Sequence, residues 1–152
     1  MEHGQAGLGA IEEESETTMR FLMIVKASKE SEAGVMPTEQ ELADMAQYNE
    51  QLVKAGAMLD GAGLHPSREG VRINFDTGKP RVIDGPFAET KELIAGYWLV
   101  QFKTRQECIE WARRVPFKEG ELEIRQLFEL EEFTQGPAIE HHRKNYDAIR
   151  NA

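Results

Sequence analysis

The chain has 152 residues, 40% of them hydrophobic and 30% charged, which is the length and composition of one globular domain rather than of a disordered chain. Its single cysteine, Cys108, excludes an intrachain disulfide, and a net charge of −9 repels a phosphate backbone. Lys and Arg nowhere cluster with aromatic residues, so nucleic acid is not an expected partner. No apolar run approaches the ~20 residues of a membrane helix, and residues 1–18 lack the basic and apolar regions of a signal peptide. The expectation is a cytoplasmic protein with no membrane partner.

Residues 1–18 hold five Glu and no Lys or Arg and read as a flexible acidic leader. Residues 20–27 (R-F-L-M-I-V-K-A) predict a strand with Phe21, Met23 and Val25 on one face and Leu22 and Ile24 on the other. Both faces are apolar, so both should be buried. A loop with Gly34 and Pro37 follows. Thr38 and Glu41 have the spacing of a capping box and start a helix over about 39–55. Its expected apolar stripe runs through Leu42, Met45, Leu52 and Val53, with Tyr48 beside it, and Gly56 ends it.

A second strand is expected over 57–62, closing in a glycine turn. Residues 71–75 and 81–83 flank D-T-G-K at 76–79 and read as a hairpin with one wet face, because Val71, Ile73 and Phe75 alternate with Arg72 and Asn74. The strongest strand is 93–102, with Trp98, Val100 and Phe102 opposite Tyr97 and Leu99. Thr104 and Glu107 form a second capping box for a helix over 105–115, where Cys108, Trp111, Ala112 and Val115 share a face. A last strand over 122–128 precedes a tail helix over 138–150 that is too short to be stable alone.

The order is β-α-β-(hairpin)-β-α-β. Without the hairpin it is βαββαβ, the ferredoxin-like α+β pattern, spanning 19–133 between the leader (1–18) and the tail (134–152). Two helices cover one face of such a sheet, yet two of its strands are apolar on both faces. A second copy of the sheet is the simplest cover, so a homodimer is expected.

Residues 84–92 (D-G-P-F-A-E-T-K-E) resemble the signature of the DGPF branch of the YCII-related family. The turn G-A-G-L-H-P at 61–66 and G-Y-W at 96–98 are similar to family segments in the expected places. The resemblance covers about 19–130 and implies a dimeric ferredoxin-like α/β barrel. It also implies a bacterial signalling setting, with a functional link to an extracytoplasmic-function sigma factor. The family's suspected acid–base pair, a His and an Asp, aligns with Met45 and Val115, so the resemblance implies that this chemistry is absent here.

Asp84, Gly85 and Pro86 are residues a turn favours, which is one reading of the signature. The other makes Asp84, Glu89, Thr90, Lys91 and Glu92 the mouth of a cleft between sheet and helices that binds a small polar ligand, with Lys91 offering a cation to a carboxylate or phosphate. Tyr48 and Asp60 are further candidate ligand contacts, Asp60 sharing a strand face with position 62, where Ala replaces the family's Glu. His65 or Asp84 would be the base if the protein is an enzyme acting on a small polar or aromatic substrate. Cys108 reads as an inert structural thiol. No zinc constellation, phosphate loop or Ser-His-Asp set is present, so no metal or cofactor is expected. The functional readings are a dimeric small-molecule-binding protein, an enzyme, and a protein partner of a sigma factor.

Overall fold

A computed structural model describes residues 17–152; the leader, but for its last two residues, lies outside the described residues. In chain order the elements are β1 (Met19–Lys26), α1 (Lys29–Glu32), α2 (Glu39–Lys54), β2 (Met58–Gly63), β3 (Val71–Asn74), β4 (Arg81–Asp84), β5 (Ile94–Phe102), α3 (Arg105–Ala112), β6 (Leu122–Gln126) and α4 (Pro137–Arg150). Four strands form an antiparallel sheet in the order β2-β5-β1-β6, and β3 and β4 form a separate two-stranded sheet. This is the ferredoxin-like α+β fold. No helix among the described residues is long and apolar enough to cross a membrane.

Register sorts the sheet into two unlike faces. β1 and β5 pair Phe21 with Val100 and Met23 with Trp98, and these four side chains point into the core under the helices. The alternate pairs, Leu22 with Leu99 and Ile24 with Tyr97, point the other way and are only half-buried. Arg125 and Glu123 of β6 lie opposite Leu22 and Ile24, and Asp60 and Ala62 of β2 lie opposite Leu99 and Tyr97. The second face therefore has an apolar centre with charged margins, and its apolar side chains are half-buried rather than sealed.

α2 begins as expected: the Thr38 hydroxyl accepts from the Glu41 N–H and the Glu41 carboxylate accepts from the Thr38 N–H, two orphan donors satisfied at once. Gly56, at φ +71°, takes the left-handed conformation that closes the helix. The buried stripe is not the expected one. Leu42 and Val53 are 52% and 61% exposed, whereas Tyr48 and Leu52 are buried and Met45 packs on the core. Tyr48 can sit centrally because its hydroxyl donates to the Trp111 carbonyl at 2.8 Å while its ring meets Trp98 and Trp111 edge-on, centroids 5.6 and 6.3 Å away. Its polar end is satisfied indoors and need not seek the boundary.

α1 was not expected. A Ser28–Ser31 capping box starts it, a spacing hidden in what read as loop. α3 stops at Ala112, three residues early, yet Val115 stays buried because the turn after the helix keeps it in the core. The second capping box is half formed: the Thr104 hydroxyl accepts from the Glu107 N–H, but the Glu107 carboxylate reaches the Lys103 N–H. β6 ends at Gln126 rather than Phe128, which is 72% exposed and packs on Phe133, centroids 5.1 Å apart. α4 buries Ile139 and leaves Tyr146 and Ile149 largely open.

Two predictions follow the corrected packing. Leu52→Ala should destabilise by about 2–5 kcal/mol, whereas Val53→Ala should cost under ~0.5 kcal/mol, as read by urea unfolding; equal costs would restore the expected stripe. Burial raises the Tyr48 phenol from 10.0 to about 12 and the Cys108 thiol from 9.0 to about 11. Both groups ionise earlier in the unfolded chain, so their contribution is full below pH ~9 and is lost as pH rises through 12. Each adds a slope approaching about 1.4 kcal/mol per pH unit within its window. Tyr48→Phe should flatten the part of the decline above pH 10, and an unchanged profile would assign the decline to other groups.

Candidate functional site

The signature begins at the end of the small sheet. Asp84 is the last residue of β4 and pairs with Val71, so it is a strand residue and not the opening of a turn. The chain then passes over residues 67–70. The Gly85 N–H donates to the Gly70 carbonyl at 2.9 Å, and the Phe87 N–H donates to the Ser67 hydroxyl at 3.1 Å. Gly85 is required for space rather than for a positive φ, which it does not adopt. A Cβ there would sit 1.8 Å from the Ser67 carbonyl oxygen, a distance only glycine tolerates. The Gly85–Pro86 bond is cis.

Ser67 is the junction of this region. Its hydroxyl donates to Glu32 at 2.5 Å and its N–H donates to the same carboxylate at 2.9 Å. The Arg68 guanidinium donates to the Glu32 carbonyl at 3.1 Å. These two Ser67 hydrogen bonds hold the Glu32 carboxyl below the ordinary carboxylate range. Above the loop the Arg72 guanidinium stacks on the Phe87 ring, 3.8 Å from its centroid, an orientation that a cation–π attraction favours. One network thus ties α1, the 67–69 turn, β3 and the signature together. No sequence spacing exposes it, because Glu32 and Ser67 are 35 positions apart.

The side chains expected to line a ligand site sit on this frame without partners. Among the described residues, Asp84, Glu89, Lys91 and Glu92 are exposed and have no side-chain hydrogen bond or ion pair. Residues 90–92 form a 3₁₀ turn, with Thr90 half-buried, and lead to buried Leu93, whose carbonyl accepts from the Ala27 N–H at 2.9 Å. The loop is fastened at both ends and presents its charges outward.

The other candidates lie apart from it. His65 follows β2; its ring is 84% exposed and its Nδ1 lies 3.4 Å from Glu69. Asp60 is on the open face, and its carboxylate accepts from the neighbouring Gly61 N–H at 2.8 Å. Tyr48 belongs to the core. Met45 and Val115 both pack in that core as well. Two shallow hollows among the described residues measure ≈ 260 Å³ around Val115, Phe117 and Leu122 and ≈ 190 Å³ around Tyr48, Gln51 and Arg114. Both are below the roughly 300–1,000 Å³ of an ordinary ligand pocket, and neither includes Asp84, Glu89 or Lys91.

The space requirement at Gly85 is directly testable. Gly85→Ala should destabilise by about 1–3 kcal/mol or more, because the opposing atom is backbone. Gly63→Ala, where the nearest atom would be 3.9 Å away, should stay near wild type. Equal thermal midpoints for the two variants would remove the case for a tight crossing.

Comparison with known proteins agrees with the topology. Over 75 residues the chain is 32% identical to an uncharacterized protein of Rhizobium meliloti (strain 1021), a match that takes in 49% of this chain and 60% of that protein's length. The YCII-related domain matches residues 19–131, from the first residue of β1 to the turn after β6. The chain belongs to the YCII-related domain family.

Proposed function

We propose that this YCII-related protein is of the DGPF branch and acts as a homodimeric binding protein for a small polar ligand. The observation that carries the ligand reading is the contrast at residues 84–92. The backbone of this loop is pinned by Gly70, Ser67 and Ala27, yet Asp84, Glu89, Lys91 and Glu92 have no partners within the described chain. A fastened backbone removes the backbone share of the ordering cost when a ligand arrives. Lys91 suits an anionic group and the carboxylates suit donors.

The dimer reading rests on the open sheet face. Leu22, Ile24, Tyr97 and Leu99 form an apolar centre, and Lys26, Glu123 and Arg125 pair along its margin. A self-complementary surface of this type suits an isologous interface. The shallowness of the hollows of one subunit fits a ligand space completed by the second copy. The setting we propose is bacterial signalling in the cytoplasm, with an extracytoplasmic-function sigma factor as a functional partner; its support is the likeness of residues 84–92 to the DGPF signature.

Two experiments test these readings. In a thermal-shift screen of small carboxylates, phosphates, amines and divalent metals, a ligand at 100 times its Kd adds ~2.7 kcal/mol and several degrees. The expected result is a shift in wild type that is lost in Asp84→Ala or Lys91→Ala. A hit that survives both variants would move the site elsewhere. In sedimentation equilibrium, wild type should run at twice the 17.2 kDa chain mass, and Leu99→Glu should run as a folded monomer. A wild-type monomer would reject the dimer.

A further inference from the structure

At the rim of the helical layer, α2 and the turn after α3 flank a hollow of ≈ 190 Å³ lined by Asp44, Gln47, Tyr48, Gln51, Arg114 and Pro116. The first four stand at i, i+3, i+4 and i+7 of α2, so they share one helix face and form one wall. Arg114 and Pro116 form the other. No residue of the 84–92 signature lines it. The hollow is too small for a drug-sized ligand but has room for several water-sized groups.

Two opposite charges line this hollow and do not meet. The Arg114 guanidinium lies over the Trp111 ring, 3.7 Å from its centroid, where a cation–π attraction holds it. Stacking engages the flat face of a guanidinium and leaves the N–H donors at its edge. Among the described residues Arg114 makes no side-chain hydrogen bond or ion pair, whereas its neighbour Arg113 pairs with Glu110 at 3.8 Å. On the facing wall, Asp44 Oδ1 accepts from the Gln40 amide at 2.8 Å, which leaves Oδ2 free. The Tyr48 hydroxyl donates to the Trp111 carbonyl, and its oxygen can still accept. The side-chain amides of Gln47 and Gln51, unlike that of Gln40, bond to no group among the described residues.

We infer that this hollow is a binding site for a compact amino-carboxylate, a molecule carrying an ammonium and a carboxylate a few bonds apart. The Arg114 fork takes the carboxylate. Asp44 and the Tyr48 oxygen take the ammonium, and the amides of Gln47 and Gln51 bond whatever polar edge remains. The two charges decide the ligand class. A simple carboxylate gains Arg114 but faces Asp44, and a simple amine gains Asp44 but faces Arg114. A ligand with both charges satisfies both walls. Arg114 and Asp44 are tethered to different neighbours, Trp111 and Gln40, so each is oriented before a ligand arrives and less ordering is needed. The site is independent of the ligand reading for residues 84–92 and of the dimer.

The test titrates the full chain with glycine, β-alanine and γ-aminobutyrate, which set the two charges at increasing separation, and with acetate and methylamine as controls. Tryptophan fluorescence reads the Trp111 indole under Arg114, and two-dimensional NMR reads the backbone amides of α2 and of Arg114. The expected result is a saturable shift at these residues for at least one amino-carboxylate, with a Kd of ~0.1–10 mM, and none from acetate or methylamine at the same concentration. Arg114→Gln and Asp44→Asn should each weaken binding about 10-fold or more. Arg114→Lys, which keeps the charge but loses the fork, should weaken it less than Arg114→Gln, and Lys91→Ala should leave it unchanged. Arg114 is exposed and Asp44 half-buried, so the near-UV circular dichroism of these variants should stay native. No saturable shift from any of the amino-carboxylates, or an equal shift from acetate, would overturn the inference. Wild-type affinity in Arg114→Gln or in Asp44→Asn would overturn it as well.

Discussion

Two helices can cover only one face of a four-stranded sheet. That constraint organises the rest of the molecule. α2 and α3 lie over the face made by Phe21, Met23, Trp98, Val100 and Phe102, and this is where the fully buried side chains are found. The other face carries Leu22, Ile24, Tyr97 and Leu99 and stays half-open. Burial contributes roughly 25 cal/mol for each Å² removed from water, so the first face supports the fold and the second retains a driving force for association. Neither role can be moved by small adjustment, because a one-residue slip in β1 would exchange the two sets of side chains.

The buried polar groups of the helical layer are paired within the chain. Tyr48 donates to the Trp111 carbonyl, and the Trp98 Nε1–H donates to Asn49 at 2.8 Å. Among the described residues, no buried side-chain nitrogen or oxygen lacks a partner. Met45 and Val115, aligned with the positions where the family resemblance implies an acid–base pair, are part of this apolar packing. An interior with no unpaired donor or acceptor can hold a sheet in register but offers a ligand little to grip. The charged side chains of residues 84–92, at the root of the hairpin, stand outside that layer.

The sequence made much of this legible, and its packing errors share a cause. Strand faces were readable because alternation in β1 and β5 is set by a period of two that tertiary contacts do not alter. The Thr38–Glu41 cap was readable because it is closed within four residues. The missed Ser28–Ser31 cap of α1 is local, but the packing errors involve partners distant in sequence. Tyr48 was placed at the edge of the stripe because its satisfying carbonyl, on Trp111, is 63 positions away. Val53 was placed inside because nothing local says that the helical layer ends short of it. Gly85 was read as a turn residue, when the atom that requires a glycine belongs to Ser67. The hairpin's apolar face was readable as apolar, but not as uncovered, since covering depends on what stands opposite.

The signature therefore has two separable parts. Its backbone and its ring, Gly85 with Phe87, fit a role in fastening: one permits the crossing over Ser67, and the other receives Arg72 from the hairpin. Its charged side chains are absent from that fastening network, in which no atom of Asp84, Glu89, Lys91 or Glu92 side chains takes part. Fastening alone accounts for the glycine and the aromatic ring but not for the charges, whereas ligand binding alone accounts for the charges but not for a glycine pressed against a backbone carbonyl. Both parts begin at the root of the β3–β4 hairpin, where Asp84 ends β4.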